Sequence, residues 1–277
     1  MQKKIIQVYK NFDQWKNSPP GLGDFIRGSC HLHELMCSVN VDFKIDISQS
    51  DFKNHIIHSD SIFSVNDMIS VNHANEYFTD HQALISDLDS FLRGHSDAFF
   101  ISTNMGQWNR LELPAATRKF MVDFFNFNES VTKYSACHIP IDSYEVLSIR
   151  CGDRFYGQTE LIVDSILKKH LFTIIENSIL PNLKHPLVLT SDSFLLKKEL
   201  ADKYGFLILP HHSEHGAFNS SSYPVCVDMN LLKNSSFNYH VNLWANWWSG
   251  FSHYTSMIFS IPSMNFCAPH FSCEALN

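Results

Sequence analysis

Apolar runs of four to six residues alternate with longer amphipathic stretches along this chain. Residues 4–9 carry Ile5, Ile6 and Val8 and predict a short strand. Phe25, Ile26, Leu32, Leu35 and Met36 then recur at helical spacing, and Val41, Phe43, Ile45 and Ile47 alternate as a strand over 39–47. Residues 51–75 are polar, with His55, His58 and His73, and predict only short pieces. A helix is expected over 82–92, a strand over 98–103, and an amphipathic helix over 115–127. The Phe120, Val122, Phe124 and Phe125 stripe of that helix is assigned to the core. Residues 128–143 are polar, carry Pro140, and predict a linker.

The second half is more regular. Strands are expected at 145–149, 186–190 and 206–209, with a strand-like run at 243–248. Helices are expected at 161–176, 194–204, 225–233 and 253–259, a loop at 211–222 and a turn at 249–252. Ser193 suits the N-cap of the second helix and Gly205 its C-terminal stop. Strands alternating with helices predict an α/β chain with parallel sheets. The same rhythm in the first half predicts two Rossmann-like domains facing across a cleft, over residues 1–140 and 141–277.

Composition narrows the function. With 44% hydrophobic and 18% charged residues the chain reads as an ordinary globular protein. A net charge of -7 argues against nucleic acid held by general basicity. Seven scattered cysteines, an odd number with no CxxC pair, predict reduced thiols. The N-terminus runs directly into a strand pattern, and no apolar run reaches the roughly 18 residues a membrane span needs. The expectation is a cytoplasmic protein without an integral membrane segment.

Candidate chemistry centres on Leu147-Ser148-Ile149-Arg150-Cys151-Gly152-Asp153-Arg154-Phe155, an apolar strand that breaks into charge. Ligands of open α/β sheets bind at the carboxyl ends of strands. Arg150 offers a planar fork suited to phosphate; the alternative is an Arg150–Asp153 pair that only closes a loop. Two further segments should follow strands of the same sheet, Ser191-Asp192 and the turn from Ser249 to His253. Near the N-terminus, Gly21-Leu22-Gly23-Asp24 opens a helix. Its glycines would free amides for an anion or a sugar hydroxyl, or simply make a tight turn. Ile26 stands where the dinucleotide fingerprint needs glycine. His211-His212-Ser213-Glu214-His215 fits the H-x-x-E-H zinc-peptidase pattern. Pro210 before it and Gly216 after it predict a loop rather than the helix that would bring His211, Glu214 and His215 together.

In their order, these segments resemble the donor-binding domain of the fucosyltransferase superfamily with GT-B architecture (α1,2-, α1,6- and protein O-fucosyltransferases). Ser148-Ile149-Arg150-Cys151-Gly152-Asp153 stands where the family reads His-x-Arg-Arg-x-Asp. The run from Leu189 through Thr190-Ser191-Asp192-Ser193 to Glu199 is similar to its second segment, and Phe251-Ser252-His253 to its third. Gly21 and Gly23 match a Gly-x-Gly at the first long helix.

The resemblance implies an inverting, metal-independent glycosyltransferase that moves a sugar from a nucleotide-sugar donor to an oligosaccharide or glycoprotein hydroxyl. GDP-fucose is the implied donor. Ser148 and Cys151 replace the family's histidine and second arginine, which leaves a UDP-linked donor such as UDP-xylose as an alternative. A non-catalytic glycan-binding module is the rival class, against which the retained Arg150, Asp153 and Asp192 speak. On this reading Arg150 binds the diphosphate, Asp153 holds Arg150, and Asp192 accepts from the base or ribose. Ser249, Ser252 and His253 lie at the phosphate, and Gly21 and Gly23 at the donor. Glu160 is the first candidate base and Asp24 the second. No metal or other cofactor is expected, and no DxD stands at a strand end to hold one.

Overall fold

The computed structural model describes residues 3–9, 21–63, 74–107, 109–152, 165–211, 221–243 and 248–267. Among these residues the first half contributes β1 (Lys4–Val8), α1 (Leu22–Val39), β2 (Asp42–Asp46), β3 (Asn75–Tyr77), α2 (His81–Arg93) and β4 (Ala98–Thr103). Its strands pair in parallel in the order β2-β1-β4-β3. Two helices follow, α3 (Ala115–Phe124) and α4 (Glu129–His138). The second half contributes β5 (Glu145–Arg150), α5 (Ser165–Ile174), β6 (Leu187–Ser191), α6 (Phe194–Tyr204) and β7 (Leu207–Ile208). It ends with α7 (Tyr223–Asn234), β8 (Phe237–Asn242), α8 (Gly250–Phe259) and β9 (Ser263–Cys267). Its strands are also all parallel, in the order β7-β6-β5-β8-β9. Two Rossmann-like α/β units are the observed architecture.

The central strands of the second sheet are covered on both faces, as parallel strands with helical crossovers must be. Leu147, Ile149, Leu187, Leu189, Tyr239 and Val241 point into one buried layer with Leu171, Ile175 and Leu200. On the opposite face, Val146 and Val188 join a larger core that runs into the first half through Ile5, Phe25, Ile26, Phe124, Val227, Tyr254 and Ile258.

Several boundaries differ from those expected. Residues 129–138 are a helix rather than a linker, because Asn128 Oδ1 accepts the Val131 amide at 3.4 Å and starts it. This helix packs against α7, so the segment before residue 140 already touches the second half. The strand expected at 243–248 lies earlier, at β8. Its Asn238, His240 and Asn242 are buried polar residues, a pattern that reads as loop. They survive burial by bonding: Asn238 Nδ2 donates to Ser256 Oγ at 2.8 Å, and His240 Nε2 lies 2.9 Å from the same hydroxyl. Residues 244–247 and 161–164 lie outside the described residues. Helix α8 starts at Gly250, so Ser252 and His253 sit inside a helix and not in a turn before one.

Candidate functional site

Strands β6, β5 and β8 are neighbours, so the segments that follow them share one carboxyl edge. Arg150 is the last residue of β5. Its Nη1 lies 2.7 Å from Asp192 Oδ2, just past β6. Asp192, its side chain only 9% exposed, takes two backbone amides as well, Cys151 N on Oδ1 at 2.7 Å and Gly152 N on Oδ2 at 3.3 Å. Asp192 therefore anchors Arg150 and the start of its loop, a different task from the base or ribose contact expected of it. Asp153, expected to hold Arg150, lies outside the described residues, as do Glu160, Glu214 and His215. Arg150 itself stays 23% exposed, enough for an outside ligand to reach it. Cys151 adds no charge: burial first, and then the field of Asp192, push its thiol well above the ordinary cysteine range.

The N-termini of α1 and α8 meet. Gly21 caps α1 and Ser249 caps α8, each without a side-chain hydrogen bond to the first-turn amides. A Cβ on Gly23 would fall 2.4 Å from Phe251 N and 2.8 Å from Gly250 C, so glycine is needed for the approach. The resemblance assigned Gly23 to the donor; its observed task is helix packing. The effect is to bring together two positive helix ends with no side-chain caps, an arrangement suited to an anion. Since α1 follows β1 and α8 follows β8, the carboxyl edges of the two sheets face one another. Asp51, beyond β2, confirms this by accepting the Ser222 amide at 2.6 Å and the Ser222 hydroxyl ahead of α7.

Asp24 lies in the first turn of α1, one third exposed, with Oδ1 2.9 Å from Arg27 Nη2. Arg27 is buried, and its Nε donates to Asn104 O at 2.8 Å. Burial first, then Asp51, Cys226 and Asp24, raise the Tyr9 hydroxyl far above its usual range. Ser252 is buried inside α8. His253 is buried too, and both ring nitrogens are engaged by protein: Nε2 with Arg110 O at 2.6 Å, Nδ1 with Asn265 Nδ2 at 3.2 Å. A carbonyl on one side and an amide donor on the other fix the neutral Nε2–H tautomer. His253 thus holds a first-half loop, where a donor contact was expected.

A third group on the same edge joins His211, singled out in the sequence, to Asp228 and Lys197, which were not. His211 lies past β7, not on a helix, and its Nε2 is 2.9 Å from Asp228 Oδ1 of α7. Buried Lys197 donates to His211 O at 2.7 Å. Its ammonium is lowered by burial and raised in part by Asp228. His211 stands past β7 and not on the helix that the zinc-peptidase pattern requires, and Glu214 and His215 lie outside the described residues. Among the described residues no group of three or more His, Cys, Asp or Glu could hold a metal ion, and no helix is long and apolar enough to cross a membrane. A separate cavity of about 360 Å³, lined by His33, Phe43, Lys44 and Phe120 among others, contains none of these residues.

The chain shares its two-unit α/β fold with solved structures of GT-B architecture. It is similar to the NodZ α-1,6-fucosyltransferase soaked with GDP-fucose, with a TM-score of 0.58 at 12% identity over 96% of this chain and 95% of that one. The same enzyme co-crystallised with GDP aligns with a TM-score of 0.56. A variant of FUT1 from Arabidopsis thaliana in complex with GDP gives 0.55 at 11% identity, covering 98% of this chain and 71% of that one. No family model matches the sequence, and no curated protein does.

Proposed function

We propose that the protein is an inverting glycosyltransferase that takes a sugar from a nucleoside-diphosphate donor, GDP-fucose in the first instance, and passes it to a glycan hydroxyl. The observation that carries this reading is Arg150, held by Asp192 at the carboxyl edge of β5, on the edge that also launches the uncapped N-terminus of α8. The shared fold with structures that hold GDP and GDP-fucose supports it.

In the proposed reaction the acceptor oxygen attacks the anomeric carbon as the bond to the diphosphate breaks. Negative charge builds on the departing diphosphate. Arg150 and the first-turn amides of α8 meet it with fixed positive charge, without a divalent cation. Glu160 remains the first candidate for taking the acceptor proton, and Asp24 is the second. Asp192 holds Arg150 and the start of its loop, so we assign base recognition to the segment past β7 that carries His211. β7 is two strands from β5, roughly 10 Å along the edge, a span that suits the separation of a nucleobase from its diphosphate.

A calorimetric panel of GDP, UDP, GDP-fucose and UDP-xylose tests the proposal and names the base. Binding of GDP and GDP-fucose is expected. Binding of the UDP pair alone would change the donor class, and binding of none would refute the transferase reading.

A further inference from the structure

The loop between β4 and α3 is strapped to both helices whose N-termini meet. On the α1 side, Arg27 Nε donates to Asn104 O at 2.8 Å, and Arg110 Nη1 reaches both oxygens of Glu34 at 2.7 and 2.8 Å. On the α8 side, Tyr254 Oη donates to Gln107 O at 2.6 Å and His253 Nε2 donates to Arg110 O at 2.6 Å. Trp248 N, two residues ahead of α8, donates to Asn109 Oδ1 at 3.3 Å, and its ring stands edge-on to His253 at 4.5 Å. His253 is tied back to the second sheet through Asn265 of β9. Buried groups are therefore spent on backbone carbonyls of a first-half loop whose crest, Leu111, is 80% exposed. Backbone carbonyls pin the position of a loop whatever its side chains are.

We propose that His253 and Tyr254 are positioning residues that couple the donor-phosphate end of α8 to the 104–112 loop of the acceptor-side half. The inference rests on the transferase reading, because it takes the N-terminus of α8 as the phosphate site. A diphosphate that draws on the first-turn amides of α8 orders the residues immediately after them, His253 and Tyr254. These hold Arg110 O and Gln107 O, so the loop is ordered with them. Occupancy of the donor site is then felt on the surface where the acceptor docks, without any contact between the donor and the loop.

Hydrogen exchange of residues 104–112, with and without saturating GDP (or UDP, if UDP is what binds), tests this. Wild-type protein is expected to slow exchange in the loop at least fivefold on binding. Tyr254→Phe, which removes one hydroxyl, and His253→Leu should keep nucleotide affinity within threefold and lose that protection. His253→Gln, whose amide can donate to Arg110 O, should restore it. A merely structural role would instead weaken binding and stability together and would not be rescued by glutamine. Should His253→Leu fail to fold, Tyr254→Phe decides alone. A loop indifferent to bound nucleotide in wild type, or protection that survives in Tyr254→Phe, overturns the coupling while leaving the transferase reading intact. If wild type binds neither nucleotide, the transferase reading falls and the coupling with it.

Discussion

Asp192 Oδ2 lies 2.7 Å from Arg150 Nη1, and the same carboxylate takes the amides of Cys151 and Gly152. One side chain after β6 thus fixes the cation, and the loop that follows it, after β5. Asp192→Asn keeps the shape but removes the charge that opposes Arg150. A hydrogen bond to a charged group contributes about 1.5–3 kcal/mol. Nucleoside-diphosphate affinity should accordingly fall at least tenfold, read by calorimetry, with a melting temperature lowered by several degrees. Unchanged affinity would show that Arg150 keeps its place without Asp192.

Two glycines separate packing from backbone strain. Gly23→Ala drives a methyl into Phe251 N and should cost about 3 kcal/mol, the upper range for overpacking. Gly205 has φ +73° with nothing within 4 Å of an added Cβ. Gly205→Ala should cost only about 1 kcal/mol of left-handed strain. Urea unfolding of the two variants gives the comparison, and equal costs would remove the case for a close approach of α1 and α8.

Burial, with a smaller contribution from His253, lowers His240 to about 3. The unfolded chain therefore takes up a proton near pH 6.5 that the folded chain refuses. The stability due to neutral His240 is complete above pH 6.5 and is lost as pH falls toward 3. At pH 5.5, one unit below the unfolded value, the loss is about 1.4 kcal/mol. Chemical denaturation at pH 7.5 and 5.5 should show that much more pH dependence in wild type than in His240→Leu. Identical slopes would mean that His240 is protonated in the fold.

If Arg150 and helix α8 meet the leaving charge, chelation should not matter. Turnover of the nucleotide-sugar donor should stay within a factor of two after dialysis against EDTA. A loss restored by magnesium or manganese would reassign that task to a metal.

The carboxyl edge of the second sheet was legible because β5 and β6 are buried on both faces and read as apolar runs, and because Ser193 and Gly205 bound α6 with plain cap signals. β8 was misplaced because its inward residues Asn238 and His240 are polar, and their burial is made tolerable by partners that only the fold brings to them: the Ser256 hydroxyl for both, with Ser235 Oγ and Leu232 O for Asn238. α4 was missed because Val131 and Ser135 alone are its buried residues, although Asn128 followed by Glu129 is a start signal. Within the site, residue types pointed to Arg150 and Asp192 but not to their pairing, which depends on β5 and β6 being adjacent. His253 was noticed for its place in a motif; its task depends on a loop about 140 residues away in sequence.

The central claim is that Arg150 binds the diphosphate of a nucleotide donor. Titrating wild type and Arg150→Ala with GDP and GMP tests it most directly. Arg150→Ala should weaken GDP about 30-fold, equivalent to about 2 kcal/mol, and GMP less than threefold. An equal loss for both nucleotides, no loss for either, or a wild-type protein that binds no nucleoside diphosphate would contradict the account.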